Sequence, residues 1–173
     1  LITDPGLRKL GLCDPCIDAL EKAGHQVTVF DDVEADPSRE TLMRAVEAGR
    51  SAGATGVIGF GGGSSQDVAK LVALLAHPDA SQQLSDLYGL GLATGQRLPL
   101  IQVPTTAGTG SEVTNIAILA DTQQQTKKGI VSDYLFQKDR IFANINLGDR
   151  ELLLYNKVAP LLEADLTPPD LAV

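Results

Sequence analysis

The chain has 173 residues, with 43% hydrophobic and 21% charged, an ordinary balance for a single globular domain with a full core. Fourteen basic residues against 22 acidic ones leave a net charge of −8, which argues against a general surface for nucleic acid or anionic lipid. No Trp, three Tyr, four Phe and two His leave little material for an aromatic stacking platform or a His-rich metal site.

The chain opens on the apolar pair Leu1-Ile2 without a Met and closes after Pro168-Pro169, so it reads as a piece of something longer. Residues 1–3 look like the tail of a strand. Asp14-Pro15 then opens a helix with Ile17, Leu20 and Ala23 on one face and Gly24 as its stop. Residues 27–30, Val-Thr-Val-Phe, are a β-branched strand. Pro37-Ser38 starts a second helix, whose face is Leu42, Ala45, Val46 and Gly49 and whose end is Gly53. Residues 56–60 form a short, wholly apolar strand of the kind buried on both faces of a parallel sheet. A Gly triplet comes next, then a helix from Ser64 or Ser65 to Ala76. Ser64 with Asp67 three residues on resembles a capping box. Residues 77–97 are mixed, with a short helix at 84–88. Strands at 98–103, 116–119 and 129–131 flank a Gly/Thr/Ser-rich loop. Alternating strands and helices predict an α/β fold with a mainly parallel sheet.

The longest apolar run, 71–76, is too short to span a membrane. With no basic-then-apolar leader in view and only two cysteines, a cytoplasmic setting is the expectation. Cys13 and Cys16 make a C-x-x-C at a Pro-led helix start. That is a redox motif by spacing, or a pair of small apolar fillers around a cap, and the second reading is preferred.

Two loops carry the chemistry. Gly61-Gly62-Gly63-Ser64 lies between an apolar strand and a helix. The missing Cβ atoms let a ligand approach the backbone, and the helix start favours a phosphate. It is neither a P-loop nor a G-x-G-x-x-G, since no Lys closes it and Ser64 takes the last Gly place. Residues 104–112, Pro-Thr-Thr-Ala-Gly-Thr-Gly-Ser-Glu, also lie directly after a strand and supply the hydroxyls of Thr105, Thr106, Thr109 and Ser111. In open α/β sheets ligands bind beyond such strand ends, so two such loops suggest one extended phosphorylated ligand, such as a dinucleotide. Asp31 comes directly after the second strand, where a carboxylate can accept from ribose hydroxyls. It precedes the Gly turn in the chain, contrary to the usual order, and order alone leaves it equally a solvated turn acid.

Residues 61–70, GGGSSQDVAK, and 100–114, LIQVPTTAGTGSEVT, with TDPGLRKLG and HQVTVFDDVEADPS before them, resemble the iron-containing (group III) alcohol dehydrogenases. The resemblance covers residues 1 to about 136 and again 157–173. Glycerol dehydrogenase and dehydroquinate synthase share the fold, but PTTAGTGSEVT points to the alcohol dehydrogenase branch. The resemblance implies a Rossmann-like α/β domain binding NAD(P), of the dehydroquinate synthase N-terminal type, followed by an all-helical domain that carries the catalytic iron or zinc. It assigns Asp31 to the adenosine ribose, Gly61, Gly62, Gly63 and Ser64 to the pyrophosphate turn with Asp67 beside it, and Thr105 and Thr106 to the adenine and pyrophosphate. Thr109 falls in the same loop, Ser111 lies towards the nicotinamide, and Lys127 or Lys128 reaches the nicotinamide ribose.

Asp31 and Asp32 would repel a 2′-phosphate, and no Arg stands nearby in sequence, so NAD is expected over NADP. The family's Asp and three His metal ligands begin beyond residues 168–173. His25 and His77 match none of them and read as structural. The expectation is one cofactor domain over 1–173 that lacks the helical domain and binds the dinucleotide without oxidising a small alcohol or reducing an aldehyde. Residues 137–156 interrupt the resemblance with a strand-like alternation, which is an added surface hairpin, a homodimer edge or a foreign splice. The function of a different class is a catalytically inactive nucleotide-binding or subunit-interaction module.

Overall fold

The computed structural model describes residues 1–121 and 126–132. The chain divides into two compact units, Leu1–Glu112 with Ile116–Ser132, and Val113–Asn115 with Asp133–Val173. The insertion expected at 137–156 and the side chain of Lys127 lie outside the described residues.

The first unit is α/β. Its elements are helices α1 (Pro5–Lys9), α2 (Asp14–Lys22) and α3 (Arg39–Ser51), strand β1 (Val57–Gly61), helix α4 (Gly63–Leu75), and strands β2 (Gly89–Ala93), β3 (Leu100–Pro104), β4 (Ile116–Asp121) and β5 (Thr126–Ser132). Strands β1 and β3 run parallel, from Val57 against Leu100 to Gly61 against Pro104. Ile2 extends this ladder through parallel bridges to Gly59 on one side and Phe30 on the other. The Ile2 N–H donates to the Ile58 carbonyl at 2.8 Å and the Thr3 N–H to the Phe30 carbonyl at 2.9 Å. The second-strand segment, 27–30, thus meets the sheet at a single bridge, Phe30 against Ile2, and forms no full strand. Strands β2 and β5 pair in parallel, and β5 returns antiparallel along β4.

Helix α4 is the centre of the core. Every residue from Ser65 to Leu75 is buried, and the helix packs on β1, β3, β4 and α3. Leu42, Ala45 and Val46 of α3 supply the facing layer, with Val57, Leu119 and Ile130 from the strands. Gly49 permits that approach, since a Cβ there would stand 3.4 Å from both Ala76 and Val72. Gly59 is more constrained: a Cβ would come within 2.8 Å of Ala69 and against the Gln102 amide. In β4, Ala117 and Leu119 face inward while Ile116 and Ile118 stay exposed, the alternation of a half-buried strand.

The helix starts differ from expectation in two places. Ser38 caps α3 as expected, accepting from the Thr41 N–H at 3.2 Å. Cys13, not Asp14, is the cap residue of α2, and the Asp14 carboxylate accepts from Arg8 instead. That helix buries none of its residues completely, so Ile17 and Leu20 are only half-buried. Gly62, not Ser64, is the N-cap residue of α4, and it offers no side-chain acceptor to the first turn. Asp67 points into the core because it lies on the buried stripe of the helix. His77, beyond α4, accepts from the Asp79 N–H through Nδ1 at 3.1 Å. Both cysteines are free, Cys13 buried and Cys16 half-buried.

Candidate dinucleotide-binding site

The C-terminal ends of β1 and β3 lie side by side, so the loops beyond them meet. The Thr105 N–H donates to the Gly61 carbonyl at 3.0 Å, and the Gln66 amide donates to that same oxygen at 3.0 Å. Gly61 has φ +154, and a Cβ there would stand 2.6 Å from the Ser65 hydroxyl. At Gly62 a Cβ would stand 3.1 Å from the Thr106 hydroxyl, and at Gly63 one would stand 3.7 Å from Thr109 Cβ. Glycine at residue 62 is therefore what lets Thr106 close over the start of α4, whereas the distance at residue 63 is ordinary contact.

An open cleft of about 790 Å³ lies on this surface, lined by Gly62–Ser65, Thr105, Thr106, Asp4–Leu7, Leu10, Leu12 and Val33–Ala35. At its α4 side the orphan N–H groups of an uncapped 13-residue helix carry the positive end of the helix dipole. The hydroxyls of Ser64, Thr105 and Thr106 stand beside them and remain accessible. Backbone donors at a helix start, a favourable dipole and a floor without Cβ atoms suit a phosphate.

The remaining expected residues are not on the cleft wall. Asp31, half-exposed, lies 3.8 Å from Arg8. The Thr109 hydroxyl stays within its own loop, accepting from the Ser111 N–H at 3.4 Å. Asp67 and Ser111 are buried in a network with Lys70. Ser111 donates to Asp67 Oδ1 at 2.5 Å, and Asp67 Oδ2 accepts from the Ile118 N–H at 3.0 Å. Lys70 donates to Asp67 Oδ1, to the Ser111 hydroxyl and to the Ile116 carbonyl, at 3.1, 2.9 and 2.7 Å. Burial pulls the Lys70 ammonium below the usual lysine range, and Asp67 beside it opposes that pull. The network ties α4 to the threonine loop and β4 from behind. Lys128 Nζ lies 4.7 Å above the centre of the Tyr88 ring.

Sequence reasoning missed Lys70, which sat unused in GGGSSQDVAK, and the α1 wall of the cleft. Asp4-Pro5 is a visible signal for that wall: an N-cap residue before a Pro at the first helical position. Asp4 accepts from the Leu7 N–H at 2.9 Å. Glu34, on the opposite wall, accepts from the Ser38 N–H at 2.9 Å and the Thr41 hydroxyl at 2.8 Å. Desolvation raises its pKa, but these hydrogen bonds outweigh it and hold the carboxyl below its ordinary value.

The first unit also changes the electrostatics expected around Asp31. Although no Arg is near it in sequence, folding brings Arg8 to Asp31 and Arg44 to Asp32. Among the described residues, no group of three or more His, Cys, Asp or Glu side chains could hold a metal ion. Among them, too, no helix is long and apolar enough to cross a membrane.

Comparison with known proteins agrees with this geometry. Residues 1–141 match the family model described as iron-containing alcohol dehydrogenase. The chain is 38% identical over 136 residues to sulfoacetaldehyde reductase of Bilophila wadsworthia (strain 3_1_6), covering 79% of this chain and 35% of that protein. It is 44% identical over 136 residues to long-chain-alcohol dehydrogenase 1 of Geobacillus thermodenitrificans (strain NG80-2), covering 78% and 34%. It thus spans about a third of the length of these curated relatives. Among solved structures, 1,3-propanediol oxidoreductase superposes with TM-score 0.70 at 34% identity, covering 76% of this chain and 34% of that one. Sulfoacetaldehyde reductase from Bifidobacterium kashiwanohense, solved in complex with NAD+, gives TM-score 0.65 at 34% identity over the same shares. A family match over most of the chain, a shared α/β fold and an uncapped glycine turn under a threonine loop agree: the chain belongs to the iron-containing alcohol dehydrogenase family.

Proposed function

We propose that the first unit binds NAD as the cofactor half of an alcohol dehydrogenase that interconverts a primary or secondary alcohol with its aldehyde or ketone. One observation carries the reading: the uncapped start of α4 and the Thr105–Thr106 hydroxyls converge on one cleft. The N–H groups of Gly63, Ser64 and Ser65 would receive the pyrophosphate, with Thr105 and Thr106 donating to it from above. Asp31 would accept from the adenosine ribose hydroxyls. Asp67 and Ser111 act differently from the other candidates. Their polar atoms are engaged with each other and with Lys70, so they position the two loops from behind. Lys127 or Lys128 would serve the nicotinamide ribose, and when bound the dinucleotide supplies the hydride-transfer chemistry. The free thiols of Cys13 and Cys16 suit a reducing, cytoplasmic setting.

The 173-residue chain by itself is proposed to bind cofactor without turning over alcohol. Calorimetric titration of this chain with NAD should give saturable one-site binding, which Gly62→Val should abolish by filling the space under Thr106. Alcohol-dependent NADH formation by the same chain, with iron or zinc added, should be absent. Failure to bind NAD would instead favour an inactive interaction module.

A further inference from the structure

Two guanidinium groups flank the acids just beyond residue 30. Arg8 is engaged by Asp14, with Nη1 to Oδ1 at 2.5 Å, and its Nε lies 3.8 Å from Asp31. Arg44, on α3, is held by three groups. Its Nη1 donates to Asp32 Oδ2 at 2.5 Å, its Nη2 donates to the Thr41 hydroxyl at 3.3 Å, and its guanidinium lies 5.8 Å above the Phe30 ring centre. Both ends of the Arg44–Asp32 pair are more than half exposed, so a ligand can reach it and compete for it.

A carboxylate at this strand end meets the ribose 2′-hydroxyl of NAD, whereas an arginine nearby accommodates the 2′-phosphate of NADP. Beside this strand end stands such an arginine, Arg44, and an acid engages it. We propose that Asp32 sets the choice of dinucleotide by engaging Arg44, so that a guanidinium fit for a 2′-phosphate is withheld and NAD is bound in preference to NADP. The inference rests on the dinucleotide reading above. Phe30 and Thr41 contact Arg44 independently of Asp32, so losing the acid leaves the guanidinium in place. Thr41 in turn donates to Glu34 on the cleft wall, which ties Arg44 to the side of the cleft where residues 33–35 lie. A freed, planar guanidinium can then take a phosphate through two parallel hydrogen bonds.

The test is calorimetric titration of the 173-residue chain with NAD and with NADP, for wild type, Asp32→Ala, Asp32→Ser, Arg44→Ala and the Asp32→Ala/Arg44→Ala double variant. Wild type should favour NAD. Each Asp32 variant should tighten NADP about two- to fivefold while NAD changes little, and the double variant should lose that gain. The gain should shrink as salt rises. A wild type that favours NADP would overturn the proposal, as would Asp32 variants with an unchanged NAD-to-NADP ratio. An equal gain in the single and double variants would show simple repulsion by Asp32 and would also overturn it. A wild type that binds neither dinucleotide would refute the underlying reading, an outcome distinct from binding NAD without the Asp32 effect.

Discussion

The Asp67–Lys70 pair and the Asp32–Arg44 pair are both carboxylate–cation contacts near the same candidate site, yet they stand in opposite surroundings. The first has side chains only 12% and 9% exposed, the second 62% and 57%. Out of water, every donor of Lys70 and both oxygens of Asp67 are committed, so removing one partner strands a charge. In water, either member of the outer pair is readily rehydrated and the contact contributes little to stability. The inner pair therefore fixes the shape of the two ligand loops, while the outer pair is available to discriminate between ligands without endangering the fold.

The sharpest way to break this contrast is Lys70→Ala. It should cost about 3–5 kcal/mol, read as a lowered urea midpoint, and a cost near that of a surface change would erase the distinction. Gly59→Ala tests how tightly the floor behind the loops is packed. Its Cβ would meet Ala69 and the Gln102 amide, so a loss of about 1–3 kcal/mol is expected in the same measurement. Ser38→Ala, which leaves the Thr41 N–H without its cap, should cost about 1 kcal/mol.

Glu34 lies between the two extremes, exposed yet hydrogen-bonded. Its folded pKa is depressed, so its contribution is present above the ordinary carboxyl pKa and is lost as pH falls through the lowered folded value. Urea titrations of wild type and Glu34→Gln should therefore converge as pH drops from neutral into that acid range. A constant gap across pH would show that the carboxylate charge is not what stabilises the turn before α3. The smallest effect is expected from Asp32→Ala, within about 0.5 kcal/mol of wild type in stability, even though the same substitution should change NADP affinity.

How much of the molecule is legible in its sequence depends on the range of the interactions involved. The α3 face, β1 and α4 were legible because hydrophobic periodicity and Gly or Pro punctuation are local. The two ligand loops were legible because each lies directly after an apolar strand. Strand β2, Gly-Leu-Gly-Leu-Ala, carries no β-branched residue and exists through its pairing with β5, so no local signal announced it. The β-branched segment 27–30 differs the other way: its propensity is local, and it pairs only through the Phe30–Ile2 bridge. Asp67 looked like a cap by spacing, but its helical face is buried, and its partner Ser111 lies far along the chain. Arg44 likewise reaches Asp32 only because α3 folds back beside the end of the second-strand segment, which is invisible to a search for neighbouring residues.

The bridge at Ile2 has a consequence for how the site comes into being. Ile2 sits between Phe30 and Gly59 in one parallel ladder, so neither the acid at residue 31 nor the glycine turn at residue 61 can be set in place by local structure alone. The ladder closes only once a long stretch of chain has been gathered, an entropic cost met before any contact rewards it. The ribose-side and phosphate-side residues should thus become ordered together, late and cooperatively. Amide hydrogen exchange at Thr3, Phe30 and Phe60 would report that step as one shared opening event.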